Sequence, residues 1–183
     1  MRPADRRVRR TRSALARALL ELARERPFAE LTIRQITERA DVGYATFFRH
    51  FPSKDALLLH VVGGKVDELA DLLRPSAEAG RLMHTGHALF AYVAAHADEL
   101  RVLFDAQRGG PLERELRAAV QARVLASPGF APAAGVPADL AAHHLAVASL
   151  ALVDWWLERG MPHPIEAMGR AYARLVVAPI LRR

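Results

Sequence analysis

Tyr44, Thr46, Arg49, His50 and Lys54 fall close together in the stretch "DVGYATFFRHFPSKDALLLHV", residues 41–61. Each carries a hydrogen-bond donor or a cation. Such groups can hold phosphate oxygens and reach base edges. Upstream, "RRVRRTR" at residues 6–12 adds a run of arginines. Phe47, Phe48 and Phe51 lie within five positions of one another among these polar side chains. A core helix is seldom so polar and a solvated helix seldom so aromatic, so the segment has two faces with different tasks. All three phenylalanines are expected in the core.

Other reactive side chains form no comparable constellation. His84 and His87 are three apart, His96 follows, and His143 and His144 are adjacent. A metal needs two or three ligands converging on one point, commonly with a carboxylate or thiolate. Neighbouring residues on a helix diverge by about 100°, and the chain has no cysteine. No metal site is expected, and the histidines read as polar groups at a pocket or helix interface. There is no nucleophile motif, glycine-rich phosphate loop or paired carboxylate with workable geometry. The chain therefore reads as a non-enzyme with no catalytic residue and no cofactor.

The elements that must position the donors are helices. The 183 residues, 51% apolar and 25% charged, have an ordinary globular balance. The absence of cysteine also fits a cytoplasmic location, and no secretory signal opens the chain. The most apolar run, residues 140–157, contains His143, His144 and Asp154 and falls short of an uninterrupted span of ~20 residues. It reads as a buried or interface helix, with no membrane partner. Residues 1–60 hold 13 Lys and Arg against 7 Asp and Glu, so the whole net charge of +6 sits in the first third. One end of the molecule is built to face a polyanion.

Apolar spacing predicts a helix over 10–26, ending before Pro27. Thr32 followed by Gln35 is a capping box that starts a second helix. "ADVG" breaks it, and a third helix spans 44–51 with Gly43 at its cap. Ser53 then caps a long helix to about Leu73, weakened in its middle by Gly63 and Gly64. Further helices are expected near 79–95, 98–107, 111–126, 138–159 and 165–181. Residues 127–137, "SPGFAPAAGVP", read as the most mobile loop. No strand pattern or hairpin turn intervenes. The expected architecture is all-α, about nine helices: a three-helix module over 9–68 and a larger module over 75–183.

Two short helices joined by a few residues including Gly match the helix-turn-helix, whose second helix enters the DNA major groove. Phe47 and Phe51, one turn apart, would anchor that helix on Ile36, Val42 and Leu57. Tyr44, Ala45, Thr46, Arg49 and His50 would then face outward. The run Thr32–Leu59, "TIRQITERADVGYATFFRHFPSKDALLL", resembles the DNA-binding region of TetR-family transcriptional regulators. That resemblance implies an operator-binding site comprising Thr32, Arg34, Gly43, Tyr44, Ala45, Thr46, Arg49, His50 and Lys54. Within it, His50 and Lys54 would hold phosphates, and Tyr44, Ala45 and Thr46 would lie nearest the bases. The "RRVRRTR" segment would be an arm approaching the backbone or minor groove. The chain departs from the family pattern at Gly43, where Ser is usual, at Asp41, where Gly is usual, and at Phe48, where Tyr is usual.

The resemblance further implies a homodimer, a near-palindromic operator on double-stranded DNA, and a repressor released by a small-molecule effector. The near-uniform apolar character of 140–157 and 171–180 independently calls for a partner surface. Candidate interface residues are Ala148, Leu152, Trp156, Tyr172 and Leu175. Candidate pocket residues, combining apolar and polar character, are Met83, His87, Phe90, Phe104 and Trp155. Gly63 and Gly64 are candidates for a flexing point. The competing expectation is a basic adaptor that binds an anionic membrane or a partner without operator preference.

Overall fold

A computed structural model describes residues 3–107, 111–127 and 130–181; the side chains of residues 3–5, 107, 111 and 112 lie outside that description. Nine α-helices account for most of the described residues. They are α1 (Pro3–Glu25), α2 (Ile33–Arg39), α3 (Tyr44–His50), α4 (Lys54–Glu78), α5 (Leu82–Ala95), α6 (Ala97–Gln107), α7 (Pro111–Leu125), α8 (Ala138–Glu158) and α9 (Ile165–Tyr172). A short 3-10 turn, Phe28–Glu30, links α1 to α2, and α9 runs on into a wider π turn over Ala173–Val177. No strand occurs among the described residues, only an isolated bridge between Pro132 and Leu181.

Local signals set most boundaries. The Thr32 hydroxyl accepts from the Gln35 amide at 3.3 Å, and Gln35 Oε1 accepts from the Thr32 amide at 2.9 Å. This reciprocal pair satisfies two free donors of α2. The Ser53 hydroxyl accepts from the Ala56 amide at 3.1 Å and starts α4. Two helices end where a glycine adopts the left-handed conformation: Gly80 after α4 (φ +63°) and Gly160 after α8 (φ +69°). Beside them, the Arg81 amide donates to Ser76 O and the Met161 amide to Trp156 O, the Schellman closure.

Three boundaries differ from expectation. Helix α1 begins at Pro3, so "RRVRRTR" is wound into its first turns and is not an extended arm. Helix α4 continues beyond Leu73, through Pro75, to Glu78. Proline removes one helical hydrogen bond near the end, and the Gly80 closure follows only after that last turn. The described part of the 127–137 loop is tethered: the Ala133 amide donates to Ile180 O at 2.8 Å, and Phe130 packs on the nearby core. Pro128 and Gly129 lie outside the described residues.

The apolar side chains gather into two cores. One joins α1, α2, α3 and the first half of α4, with Leu15, Leu19, Ile36, Phe47 and Leu57 fully enclosed. The other joins α5, α8 and α9, where Phe90 meets Trp156 and Tyr172 edge-on. In this second core α5 and α9 touch backbone to backbone: a Cβ on Gly86 would lie 2.4 Å from Gly169 O, and one on Gly169 would lie 2.8 Å from the His87 amide. Only glycine fits at either position. Helix α8 is long and apolar enough by composition to cross a membrane, yet only 33% of its most apolar window is buried.

Candidate nucleic-acid interface and internal cavity

Helix α3 is oriented by its aromatic side. Phe47 and Phe51 are buried with Ile36 and Leu57, and Val42 packs against the same cluster. The turn before it resolves the departure at Asp41. That residue holds φ +52°, and the Val42 amide donates to Thr37 O at 2.9 Å. Asp41 therefore sits where a helix-closing glycine normally would, and a short polar side chain tolerates this conformation better than most. Gly43 caps α3 with no side-chain hydrogen bond, as expected from the missing hydroxyl.

Tyr44, Ala45 and Arg49 project outward, and Thr46 and His50 are half-exposed. Arg34 and the cap residue Thr32 are exposed at the start of α2. Neither Arg34 nor Arg49 has an ion-pair partner among the described residues. Arg6, Arg7, Arg9 and Arg10 add a solvent-facing cationic strip on α1. The frame beneath is braced by a two-bonded ion pair from Arg39 to Glu25, at 2.8 and 3.2 Å, tying α2 to α1. The hydrogen bond from Arg39 lowers the Glu25 pKa, and the same bond raises that of Arg39.

Two residues on this face differ from expectation. Phe48 is not in the core: it is 47% exposed, edge-on to Tyr44, which is itself 53% exposed. One helical turn separates the two, so they share the outward face. Lys54 does not point outward. Its ammonium donates to three carbonyls, Phe28 O at 3.0 Å, Ala29 O at 2.9 Å and Leu31 O at 2.9 Å. It also lies 4.7 Å from the Phe28 ring centre. An ammonium has three N–H donors, so every one is engaged in clasping the α1–α2 connection.

The comparisons with known proteins agree on this region. Residues 15–61 match the family model described as bacterial regulatory proteins, tetR family. Residues 15–61 thus form a TetR-type DNA-binding domain. It is 40% identical over 70 residues to the uncharacterized HTH-type transcriptional regulator YxbF of Bacillus subtilis, covering 38% of this chain and 18% of that protein. It is 42% identical over 77 residues to the HTH-type transcriptional regulator TcmR of Streptomyces glaucescens, covering 40% of this chain and 34% of that protein. These sequence matches thus span less than half of the relatives. Over the whole fold, the chain resembles Thermus thermophilus FadR, titled a transcriptional repressor in complex with lauroyl-CoA. That likeness has a TM-score of 0.68 at 21% identity and covers 94% of this chain and 96% of the other.

Behind the TetR-type domain, α4, α5, α6, α7, α8 and the end of α9 surround a cavity of about 530 Å³. Its wall is chiefly aliphatic, including Val66, Leu69, Leu89, Val120 and Val177. That volume is typical of small-molecule sites. Of the five pocket residues expected from sequence, Phe104 alone lines it. Met83 and His87 are exposed on the outer side of α5, Phe90 is enclosed in the second core, and Trp155 stacks on His163. The expected interface residues also divide. Trp156 and Tyr172 are buried within the chain, at 1% and 6% exposure, so neither can form a seam with a partner. Leu175 is 70% exposed, and Ala148 and Leu152 are half-buried on α8.

At the end of the cavity nearest the first domain, Lys65 pairs with Glu99 at 2.8 Å and Glu99 with Arg24 of α1 at 3.3 Å. The Lys65 hydrogen bond lowers the Glu99 pKa. No group of three or more residues suited to holding a metal occurs among the described residues.

Proposed function

We propose that this chain is a TetR-family DNA-binding transcriptional regulator acting as a homodimeric repressor in the cytoplasm. It binds a near-palindromic operator and is released by a small-molecule effector in the cavity. The observation that carries this reading is the division of α3: one side clamped by Phe47 and Phe51, the other presenting Tyr44, Ala45 and Arg49 to solvent. Thr46 and His50 flank that surface, and Thr32, Arg34 and the α1 arginines extend it toward the phosphates. Lys54 acts behind it as a brace.

The uncovered apolar face of α8 and the projecting Leu175 support a seam between two copies. A dimer spaces two recognition helices about one DNA turn apart, roughly 34–36 Å, and so makes one short helix specific. The Thermus thermophilus FadR structure, a complex with lauroyl-CoA, supports an apolar effector in a fold of this kind. Gly63 and Gly64 lie inside α4 between the two cores, and a Cβ at either would meet nothing within 4 Å. Packing does not require them, while each weakens the helix by roughly 1 kcal/mol relative to Ala. A flexing point is the function that remains.

Selection of bound duplexes from a random DNA pool, followed by gel shift with competitor DNA, tests the reading. A near-palindromic consensus bound with a steep salt dependence is expected. Binding to anionic vesicles with no preference among oligonucleotides would replace this reading with the basic adaptor.

A further inference from the structure

Resting on the effector reading above, we infer that the cavity takes an uncharged, largely hydrocarbon molecule with a single hydrogen-bonding oxygen, such as a medium-chain alcohol or methyl ester. It does not take a carboxylate or a coenzyme A thioester. Three observations lead here: the apolar wall, the mutual satisfaction of most of its polar groups, and the pairing of each cation on it.

The hydroxyls on the wall are mostly occupied. Ser149 Oγ donates to Leu145 O at 2.6 Å and lies 3.1 Å from the Tyr172 hydroxyl. Thr85 Oγ1 lies 3.0 Å from Ser76 Oγ and 3.2 Å from Arg81 O. The Tyr92 hydroxyl differs: it is buried and makes no hydrogen bond of acceptable geometry, although the Glu68 carboxylate lies close enough to attract its proton. Burial, Glu68 and Glu99 hold its ionisation well above the usual range, so it remains a neutral donor. A buried donor left unsatisfied carries a desolvation penalty that one ligand oxygen can relieve.

The charges at the wall exclude an anion. Its cations are Lys65, Arg74 and Arg123. Lys65 is committed to Glu99 and Glu68, Arg74 to Asp71, and Arg123 to Asp67. Asp71 and Glu78 also line the wall, so it offers an incoming anion two carboxylates and no cation that is not already paired. A ligand carboxylate near Tyr92 would face Glu68 and Glu99, and a coenzyme A phosphate at the rim would compete with Asp67, Asp71 and Glu78. Moving an unpaired charge into such a wall is strongly unfavourable.

The test is calorimetric titration of the full chain, without DNA, with decane, decan-1-ol, methyl decanoate, decanoate and decanoyl-CoA. Decanol and the methyl ester are expected to bind at least about tenfold more tightly than either anion, a difference of ~1.4 kcal/mol. Tyr92→Phe should remove most of the preference for decanol over decane while leaving decane affinity unchanged. Decanoate or decanoyl-CoA binding as tightly as decanol overturns the inference, as does failure of both neutral compounds to bind. Operator affinity is then measured separately with each bound compound. A neutral ligand that binds but leaves operator affinity unchanged upholds the ligand class and refutes only the effector reading.

Discussion

Replacing Lys54 by Met would keep an unbranched apolar stem and delete the ammonium that bonds Phe28 O, Ala29 O and Leu31 O. A hydrogen bond to a charged group contributes about 1.5–3 kcal/mol, and three that share one donor are not additive. A loss of about 3 kcal/mol is expected, and for a chain of this size each kcal/mol lowers Tm by roughly 2–4 °C. The melting temperature should therefore fall by about 6–12 °C. Lys54→Arg should fall nearly as far, because a planar guanidinium cannot reproduce three converging donors. DNA titrations at several salt concentrations decide between clasp and phosphate contact. A lost phosphate contact reduces the slope of log K against log salt by about one per subunit. With Lys54 engaged internally, the slope should stay constant in Lys54→Met while affinity drops uniformly through misplacement of α2. Arg49→Gln should do the reverse, lowering the slope with little change in Tm. A Lys54→Met variant with unaltered Tm and a slope reduced by about one would refute the clasp.

Asp41→Gly should stabilise the domain by about 0.5–1 kcal/mol, since the left-handed conformation is strained for a side chain, and removing a carboxylate beside the recognition helix should tighten DNA binding; a lower denaturation midpoint would contradict this. Gly86→Ala should destabilise by about 3 kcal/mol, because the new methyl must force α5 from α9, read as a Tm drop with the helical circular dichroism retained below the transition. His60 rests against Phe51 near Arg12, and partial burial together with Arg12 lowers its pKa from the ordinary 6.5. The unfolded chain then takes up the proton first, so stability should be complete above about pH 6.5 and decline as pH falls toward the folded-state pKa; His60→Gln should flatten that part of the pH–Tm curve. Phe48→Ala should leave Tm nearly unchanged but weaken binding to thymine-containing sites more than to the same sites carrying deoxyuridine, if the exposed ring touches thymine methyls.

What could be read from the chain was what its neighbours in sequence decide. Thr32 with Gln35, Ser53 with Ala56, and Phe47 with Phe51 act across three or four residues, so their spacing carries the result. Phe48 was legible too, since it stands one turn after the outward Tyr44; its apolar character outweighed its phase. Lys54 was not legible, because its partners lie 23 to 26 residues upstream and nothing in the motif distinguishes a clasp from a phosphate contact. The apolar runs near the end of the chain announced burial without saying on which side. Trp156 and Tyr172 turned inward because the Gly86–Gly169 crossing draws α9 close to α5, a contact that depends on two glycines far apart in sequence. The cavity wall is assembled from six helices, so residue character alone picked out only Phe104.

Helix α4 begins at the Lys54 clasp and ends beside the cavity, so under the proposed function it would work as a beam with a soft point at Gly63 and Gly64. From Gly63 back to Lys54 is about 13 Å at 1.5 Å per residue. A tilt of about 10° there would swing the near end by roughly 2 Å, comparable to the slack between a hydrogen bond made and one lost. Because two copies would swing in opposite senses about a shared axis, the grip on a duplex would misalign by twice that amount.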